Sequence, residues 1–413
     1  MLPERHRWAL LYIALLQRHV VAYFGFNATL SQYLLPMTGD AAAPAGFCPG
    51  CVAVYYKGLA GSSCYRIPTI IKTHTDTLLA FAENRKANCN DHDDAHDLVV
   101  RRSQDHGRTW GPVITIYSGK EEPCPGCPAS TSNPNPVEVR LPDGSWAVLL
   151  HFDTRNSATI HQHGLDMQIW SHDDGLTWSN ATVLSYPPVQ NVGGLVGPSV
   201  GIQSSRGTIF FSNRRVHQQT GAPMHFLYWS EDYGKTWSSS PEWHEAPVGD
   251  ESSIAFLTSP EDETIIMSLR TGAGARAQLI WDKDRKPGAV DLKPHLKDSG
   301  CQGSIVNQDG ILYVSHPKDA KTRAHMTVQQ SGNQGRTWTA GKEVWAGPSA
   351  YSQLVPLGGG KLGLLFEGGE HFRYDMIAYA VVDMADESWN NDKEDEEEEG
   401  EGSEPASSTI LFA

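Results

Sequence analysis

The chain has 413 residues, among them 39 Gly, 25 Pro and 12 Trp, and a formal net charge of −15. That length is enough to bury a large core, and the Gly, Pro and Trp content suits a turn-rich β protein better than a helical one. Most of the acidity is local: 12 acidic residues and one Lys fall between Asp383 and Glu404, which leaves −4 for everything else, and with no basic stripe in the chain nucleic acid is not an expected partner.

At the N-terminus Arg5 and Arg7 precede the apolar run Trp8–Leu16, which Gln17, Arg18 and His19 interrupt before Val20–Phe26 resumes. A basic start before a short apolar run reads as a secretory signal peptide or signal anchor. The interruption leaves the run short of the roughly 20 residues of a full span, and an amphipathic extension is the alternative, so membrane association through this segment stays open. Sequons at Asn27 and Asn180 are compatible with the secretory pathway, whether the product is secreted, lysosomal or membrane-anchored. Residues 1–45 thus read as hydrophobic leader and linker, 46–385 as the folded domain, and 386–413 as an acidic, solvated, disordered tail.

Seven cysteines follow, at 48, 51, 64, 89, 124, 127 and 301, with Cys-Pro-Gly-Cys at 48–51 and again at 124–127. Such pairs hold zinc, close local disulfides or act as redox pairs. The copies are 76 residues apart, wider than a zinc ribbon, and neither lies in a βαβ pattern. In a secretory chain disulfides are favoured, with one Cys left over.

Further along, one octamer recurs: SQDHGRTW at Ser103–Trp110, SHDDGLTW at Ser171–Trp178, SEDYGKTW at Ser230–Trp237 and a worn SGNQGRTW at Ser331–Trp338. Each follows a strand-like run, so the octamer predicts the turn of a β-hairpin. Asp105, Asp173, Asp232 and Asn333 can accept backbone N–H bonds within that turn. Gly107, Gly175, Gly234 and Gly335 supply the positive φ it needs, and the Trp can fold back on a neighbouring hairpin. The spacings of 68, 59 and 101 residues suit one propeller blade, one blade and two blades, one of them without the motif. About six blades then fill residues 60–385, an all-β, six-bladed β-propeller whose repeated turns are scaffold at the rim.

Together with these Asp-turns, the stretch SSCYRIPTII makes the chain resemble the exo-sialidase (neuraminidase) family from Cys64 to Val382. The resemblance implies a six-bladed propeller that works without a metal or cofactor on sialylated glycans, whether glycoproteins, glycolipids or oligosaccharides. It implies three arginines on the sugar carboxylate: Arg66 in Arg-Ile-Pro, Arg270 in TIIMSLRTG and Arg323 in KTRAHMTVQQSG. Guanidinium forks suit this task because they bond carboxylates bidentately and never deprotonate. Glu367 in LLFEGGE is the expected carboxylate behind Arg66, and Arg85 belongs to the Ala-Glu-x-Arg segment that leads to the acid/base loop. Asp91, six residues beyond Arg85, is the expected acid/base, with Asp93 and Asp94 as runners-up and Asp97 in the same run. His92 and His96 beside them raise the alternative of a metal cluster, which the family resemblance does not call for. Tyr351 in GPSAYSQLVPL is the expected nucleophile; a neutral Tyr is not repelled by the carboxylate on the anomeric carbon, but its proton needs a base.

At that base the chain departs from the pattern. The resemblance implies Glu-x-x-x-x-Glu ahead of the second Arg, and GDESSIAF matches Glu251 but puts Phe256 at the second position. Residues five apart on a regular strand face opposite ways, so Glu251 substitutes for the missing Glu only if a bulge or loop re-aims it. Glu251 is the best candidate base; Glu261 and Glu263 read as hairpin-turn residues. Two functions follow, a retaining exo-α-sialidase or a sialic-acid-binding, lectin-like propeller crippled at Phe256. SNPNPV at Ser132–Val137, GPSVGIQ at Gly197–Gln203 and GCQGSIV at Gly300–Val306 resemble pocket-lining segments of the family.

Overall fold

The computed structural model describes residues 43–91, 96–119, 130–155, 163–185, 195–216, 223–240 and 249–385. The expected hydrophobic leader and acidic tail lie outside these, as do Asn27, His92, Asp93, Asp94, Cys124 and Cys127.

Apart from one 3-10 turn at Leu59–Gly61, the described elements are strands. An early strand, β1 (Val52–Tyr56), is followed by a sheet of β2 (Cys64–Lys72), β3 (Leu78–Arg85), β4 (His96–Ser103) and β5 (Ile114–Tyr117). The second sheet is β6 (Ser130–Arg140), β7 (Trp146–Arg155), β8 (His163–Ser171) and β9 (Thr182–Val183). In the third, β10 (Leu195–Val196) and β11 (Ile202–Gln203) both pair with β12 (Ile209–Val216), followed by β13 (Pro223–Ser230) and β14 (Ser238–Ser239). The fourth holds β15 (Gly249–Phe256), β16 (Ile265–Thr271), β17 (Ala275–Trp281) and β18 (Asp291–Lys297). The remaining strands, β19 (Ser304–Gln308), β20 (Ile311–Pro317), β21 (Ala324–Ser331), β22 (Lys342–Gly358), β23 (Lys361–Gly368) and β24 (Met376–Asp383), form one seven-stranded sheet with β1 at its edge. The long β22 links its halves, pairing with β21 through Lys342–Pro348 and with β23 through Ser349–Gly358.

Successive sheets face one another in a propeller-like arrangement. Their inner strands adjoin in turn: β2 by β6, β6 by β11, β11 by β15, β15 by β19, β19 by β22, and β22 by β2 again. Each pair of facing sheets encloses an apolar layer. Leu79, Phe81 and Val100 meet Leu150, Phe152 and Ile169. Val139 and Leu149 meet Phe211 and Tyr228. At the closing joint Val355, Leu365 and Tyr379 meet Ile70, Ala80 and Val99. Strands covered on both faces read as unbroken apolar runs rather than alternations, which is the pattern of Leu78–Ala82 and Leu362–Phe366.

All four octamers occupy one structural position, the connection from the third strand of a sheet to the fourth. In the third copy Asp232 Oδ1 accepts from Thr236 N at 2.8 Å and Lys235 N at 3.1 Å, Asp232 Oδ2 accepts from Thr236 Oγ1 at 2.6 Å, and Gly234 N donates to Ser230 Oγ at 2.8 Å. Asn333 reproduces the frame, with Thr337 N at 3.0 Å from its Oδ1. Tyr233 and Gly234 are both left-handed, at φ 60° and 81°, and a Cβ on Gly234 would stand 2.6 Å from the Trp170 ring of the preceding sheet. The Trp of each octamer packs the same way: Trp178 meets Phe81 edge-on at 6.0 Å and Trp237 meets His151 at 4.6 Å. These turns bind a sheet to its neighbour. Between the third and fourth copies stands the sheet β15–β18, whose outer hairpin uses another turn, with Asp282 Oδ1 capping Asp284 N and Lys286 N, each at 2.9 Å.

Two consequences are measurable. Asp232→Ala removes four acceptor contacts at an exposed turn, so it should cost about 1 kcal/mol of stability; an unaltered denaturation midpoint would refute the structural role. His151 is enclosed by Phe211, Tyr228 and Trp237, and burial depresses its pKa from 6.5 to about 3. The unfolded chain therefore binds this proton first, so stability is complete above pH 6.5 and falls by about 1.4 kcal/mol per unit as the pH drops from there toward 3. His151→Phe should flatten this acid limb, and equal acid sensitivity of the two proteins in denaturant titrations would show that other groups govern it.

Candidate active site

Arg66 is aimed by a bulge. Arg66 pairs with Glu83 but Thr69 with Phe81, so β2 carries one extra residue, and Ile67 sits at φ 60°, a strained conformation for a β-branched side chain. The bulge turns the Ile67 amide onto Glu367 Oε1 at 2.9 Å, beside Arg66 Nε at 2.7 Å. Glu367 Oε2 accepts from Arg66 Nη2 at 3.4 Å and from the Tyr351 amide at 3.2 Å. Glu367 on β23 is fully buried, and one carboxylate thus fixes both Arg66 and the backbone of Tyr351. Burial opposes the charge on Arg66, but Glu367, joined by Tyr374 and Tyr351, outweighs it and holds the pKa above its ordinary value.

A second carboxylate repeats the device. Glu83 Oε2 accepts from Arg85 Nε at 2.9 Å and Nη2 at 2.6 Å, while Glu83 Oε1 accepts from Ser132 Oγ at 3.1 Å and the Asn133 amide at 2.9 Å. Asn133 is left-handed at φ 54°, in a bulge between Ser132 and Asn135, so Ser132-Asn133-Pro134 matches Arg66-Ile67-Pro68 in shape. Arg85 then reaches outward, its Nη1 donating to Asp91 Oδ1 at 2.6 Å and to the Cys89 carbonyl at 2.7 Å. A disulfide from Cys89 to Cys64 at the start of β2 anchors this loop. Asp91 is half exposed and lies 3.5 Å from Arg66 Nη1; burial pushes its carboxyl up, but Arg85 and Arg66 outweigh that and hold it low.

The third group surrounds Tyr351, which is buried on β22. Its hydroxyl donates to Glu251 Oε1 at 2.5 Å and accepts from Arg270 Nη1 at 3.2 Å, and Arg270 Nη1 also donates to Glu251 Oε2 at 2.7 Å. Glu251 gets there through a bulge in β15: Gly249 pairs with Thr271 but Ser252 with Leu269, so regular alternation does not hold between them. Phe256, at the far end of the strand, is not near Tyr351. It packs edge-on to Phe210 at 6.3 Å, in the layer that contains Met267 and Trp281. Burial raises the pKa of both Glu251 and Tyr351; Arg270 partly offsets this at Glu251, and the Glu251 charge adds to it at Tyr351. Arg66 and Arg323 flank the Tyr351 ring, at 5.3 and 5.8 Å from its centroid.

The structure therefore brings Arg66, Arg85, Asp91, Glu251, Arg270, Arg323, Tyr351 and Glu367 together. Other sequence candidates lie elsewhere. Asp97 is taken by Lys86 Nζ at 2.6 Å and the Gly119 amide at 2.9 Å. His96 is buried 3.5 Å from Glu83. Glu261 and Glu263 sit in the hairpin beyond Phe256, on Ser205 at 2.8 Å and near Arg206 at 3.7 Å. Cys48 and Cys51 form a disulfide and Cys301 is free and buried.

Sequence reasoning missed three contributors. Tyr374 lies face-on under Arg66 at 3.8 Å, and its hydroxyl accepts from Arg323 Nη1 at 3.2 Å; one aromatic in a loop carries no spacing signal. Asp250, next to Glu251, contacts Arg214 Nη1 at 2.5 Å and Arg270 Nε at 3.7 Å. The Cys64–Cys89 pairing was hidden among seven cysteines, although each partner adjoins a site segment.

The BNR repeat-like domain family matches residues 76–364. The chain belongs to the sialidase family with BNR, or Asp-box, repeats. It is 26% identical over 352 residues to the sialidase of Micromonospora viridifaciens, covering 77% of this chain and 52% of that protein, so it spans about half the length of that relative. It is 24% identical to mouse Sialidase-2 over 78% of this chain and 93% of the other. Among solved structures the Hadza microbial sialidase Hz136 shares the fold, with a TM-score of 0.70 at 23% identity over 81% of this chain and 68% of the other.

Because Glu367 compensates a buried guanidinium and two amides, Glu367→Gln should cost about 3 kcal/mol of stability. Denaturant melts check this, and an unchanged midpoint would mean that Asp91 and Tyr374 suffice to hold Arg66.

Proposed function

We propose that the protein is a retaining exo-α-sialidase that releases terminal sialic acid from glycoproteins, glycolipids or oligosaccharides. The observation that carries this reading is the 2.5 Å bond from Tyr351 to Glu251, ringed by three arginines. Arg66, Arg270 and Arg323 bind the substrate carboxylate, and their forks favour bidentate contact. Tyr351 Oη attacks the anomeric carbon and gives its proton to Glu251, while Asp91 donates a proton to the departing glycosidic oxygen. The product is a glycosyl-tyrosine. Asp91, now a carboxylate, takes a proton from water as that water attacks the anomeric carbon, and Tyr351 recovers its proton from Glu251. Two inversions give net retention.

Burial favours a protonated Tyr351 in the resting state, so the attack depends on proton loss to Glu251. Asp91 must be protonated to act as acid, yet Arg85 and Arg66 hold it low. Occupancy of Arg66 by the substrate carboxylate weakens one of those two attractions, and the bound sugar displaces water beside Asp91, so both raise the Asp91 pKa when it is needed. The lectin-like reading drew its support from Phe256, and Phe256 packs between sheets.

The same reading counts six blades, because β22 divides the seven-stranded sheet into β19–β22 and β22–β24 with β1. It assigns the N-terminal run to entry into the secretory pathway and to membrane association through that segment.

Turnover of a fluorogenic sialic acid glycoside tests the proposal. Glu251→Gln should lower kcat by ~10²–10⁴-fold. Tyr351→Phe should lose at least as much, and Arg270→Ala should weaken substrate binding roughly 10–100-fold through lost charge-assisted bonds. Full activity in Tyr351→Phe would overturn the mechanism, and a wild type that binds sialic acid without turning over the glycoside would leave the lectin-like reading in its place.

A further inference from the structure

Resting on that reading, we propose that Phe372 is an aromatic platform for the sugar next to the sialic acid, so that the site prefers oligosaccharide aglycones to small ones. Among the described residues five large apolar side chains are well exposed. Leu176, Val183, Ile280 and Val381 lie on an Asp-box turn or on strands β9, β17 and β24. Phe372, at 47% exposure, is the one that borders the candidate site. Single exposed apolar residues need no explanation in general, so place and rigidity carry the case.

The place follows from a chain of contacts. Phe372 meets the Tyr374 ring edge-on at 5.1 Å, Tyr374 lies face-on to Arg66 at 3.8 Å, and Arg66 lies 3.5 Å from Asp91. A second route agrees: Cys64 Sγ is 4.0 Å from the Tyr374 carbonyl, and Cys64 is bonded to Cys89, two residues before Asp91. The loop between β23 and β24 and the Asp91 loop therefore flank the same side of Arg66. Asp91 is the group assigned to protonate the leaving oxygen, so the aglycone departs on this side.

Rigidity comes from a tight turn. Asp375 Oδ2 accepts from the Phe372 amide at 3.3 Å, and the Asp375 amide donates to the Phe372 carbonyl at 3.2 Å. A Cβ on Gly369 would stand 2.3 Å from Asp375 Oδ2, so the loop closes only over a glycine. An aromatic held this way offers a flat face at little entropic cost. A pyranose with its axial C–H groups on one face is the complementary ligand for Phe372, while Arg66, Arg270 and Arg323 hold the sialic acid.

The test is equilibrium binding by calorimetry in the inert Tyr351→Phe background, with 3′-sialyllactose and methyl α-sialoside as probes. Phe372→Ala should weaken sialyllactose ~10-fold, from loss of a small buried apolar contact, and leave the methyl glycoside unchanged. Phe372→Trp should retain sialyllactose affinity. Equal weakening of both ligands would mean that Phe372 acts only through Tyr374 and Arg66, and no change in either would remove it from the site; both results overturn the proposal. If neither sugar binds even with Phe372 intact, the sialic acid reading fails and the platform fails with it.

Discussion

The buried carboxylate of Glu367 is the interaction on which the site depends. It lies on β23, yet it accepts from Arg66 and Ile67 of β2 and from the Tyr351 amide of β22. These strands belong to the beginning and the end of the fold, so the ion pair also spans the joint where the last sheet meets the first. A charged guanidinium without exposure would destabilise a fold unless paired and hydrogen-bonded. Here the pairing is nearly bidentate, and the remaining acceptor capacity goes to backbone amides. The strain at Ile67 becomes intelligible in this light: the left-handed turn is what directs an amide to the carboxylate, and that bond offsets part of its cost.

Three inner strands solve the same problem in the same way. A regular strand alternates its side chains between two faces, and both faces of these strands are needed for packing against neighbouring sheets. A functional side chain that must point along the axis toward the open end has no place in that alternation. A bulge supplies it. One follows Arg66, one re-aims the backbone at Asn133 toward Glu83, and one frees Asp250 and Glu251 from the ladder. The residues beyond each bulge return to the pattern and fill the apolar layers, with Val137, Ile254 and Phe256 as examples.

This explains what the sequence disclosed. The scaffold was legible because it is repetitive: an Asp, a Gly and a Trp at fixed offsets recur wherever a third strand turns into a fourth, and the long interval before Ser331 holds the sheet whose turn is built on Asp282. The arginines, Tyr351 and Glu367 were legible by their place in short motifs. Glu251 was the hard case. Counting from Glu251 to Phe256 assumes an unbroken period of two, and a register shift of one residue invalidates that count without leaving a mark in the composition. Tyr374 was not legible at all, because its contacts with Arg66 and Arg323 depend on how a loop folds back over two strands distant in the chain.

The electrostatics of the site also explain why one acidic group cannot do both proton transfers in the proposed reaction. Glu251 is buried beside Tyr351 and shares it with a single arginine, so burial dominates and raises its proton affinity, which suits a group that must accept the Tyr351 proton. Asp91 stands half exposed against two guanidiniums, and their attraction dominates. In the proposed reaction a carboxylate arriving at Arg66 raises the proton affinity of Asp91, so protonation of the leaving oxygen is coupled to the charge of the bound sugar. A neutral sugar would leave the attraction of Arg66 for Asp91 in place. Under the proposed mechanism, selection for an acidic substrate resides in proton supply as well as in binding, and both depend on the same guanidinium that Glu367 holds in place.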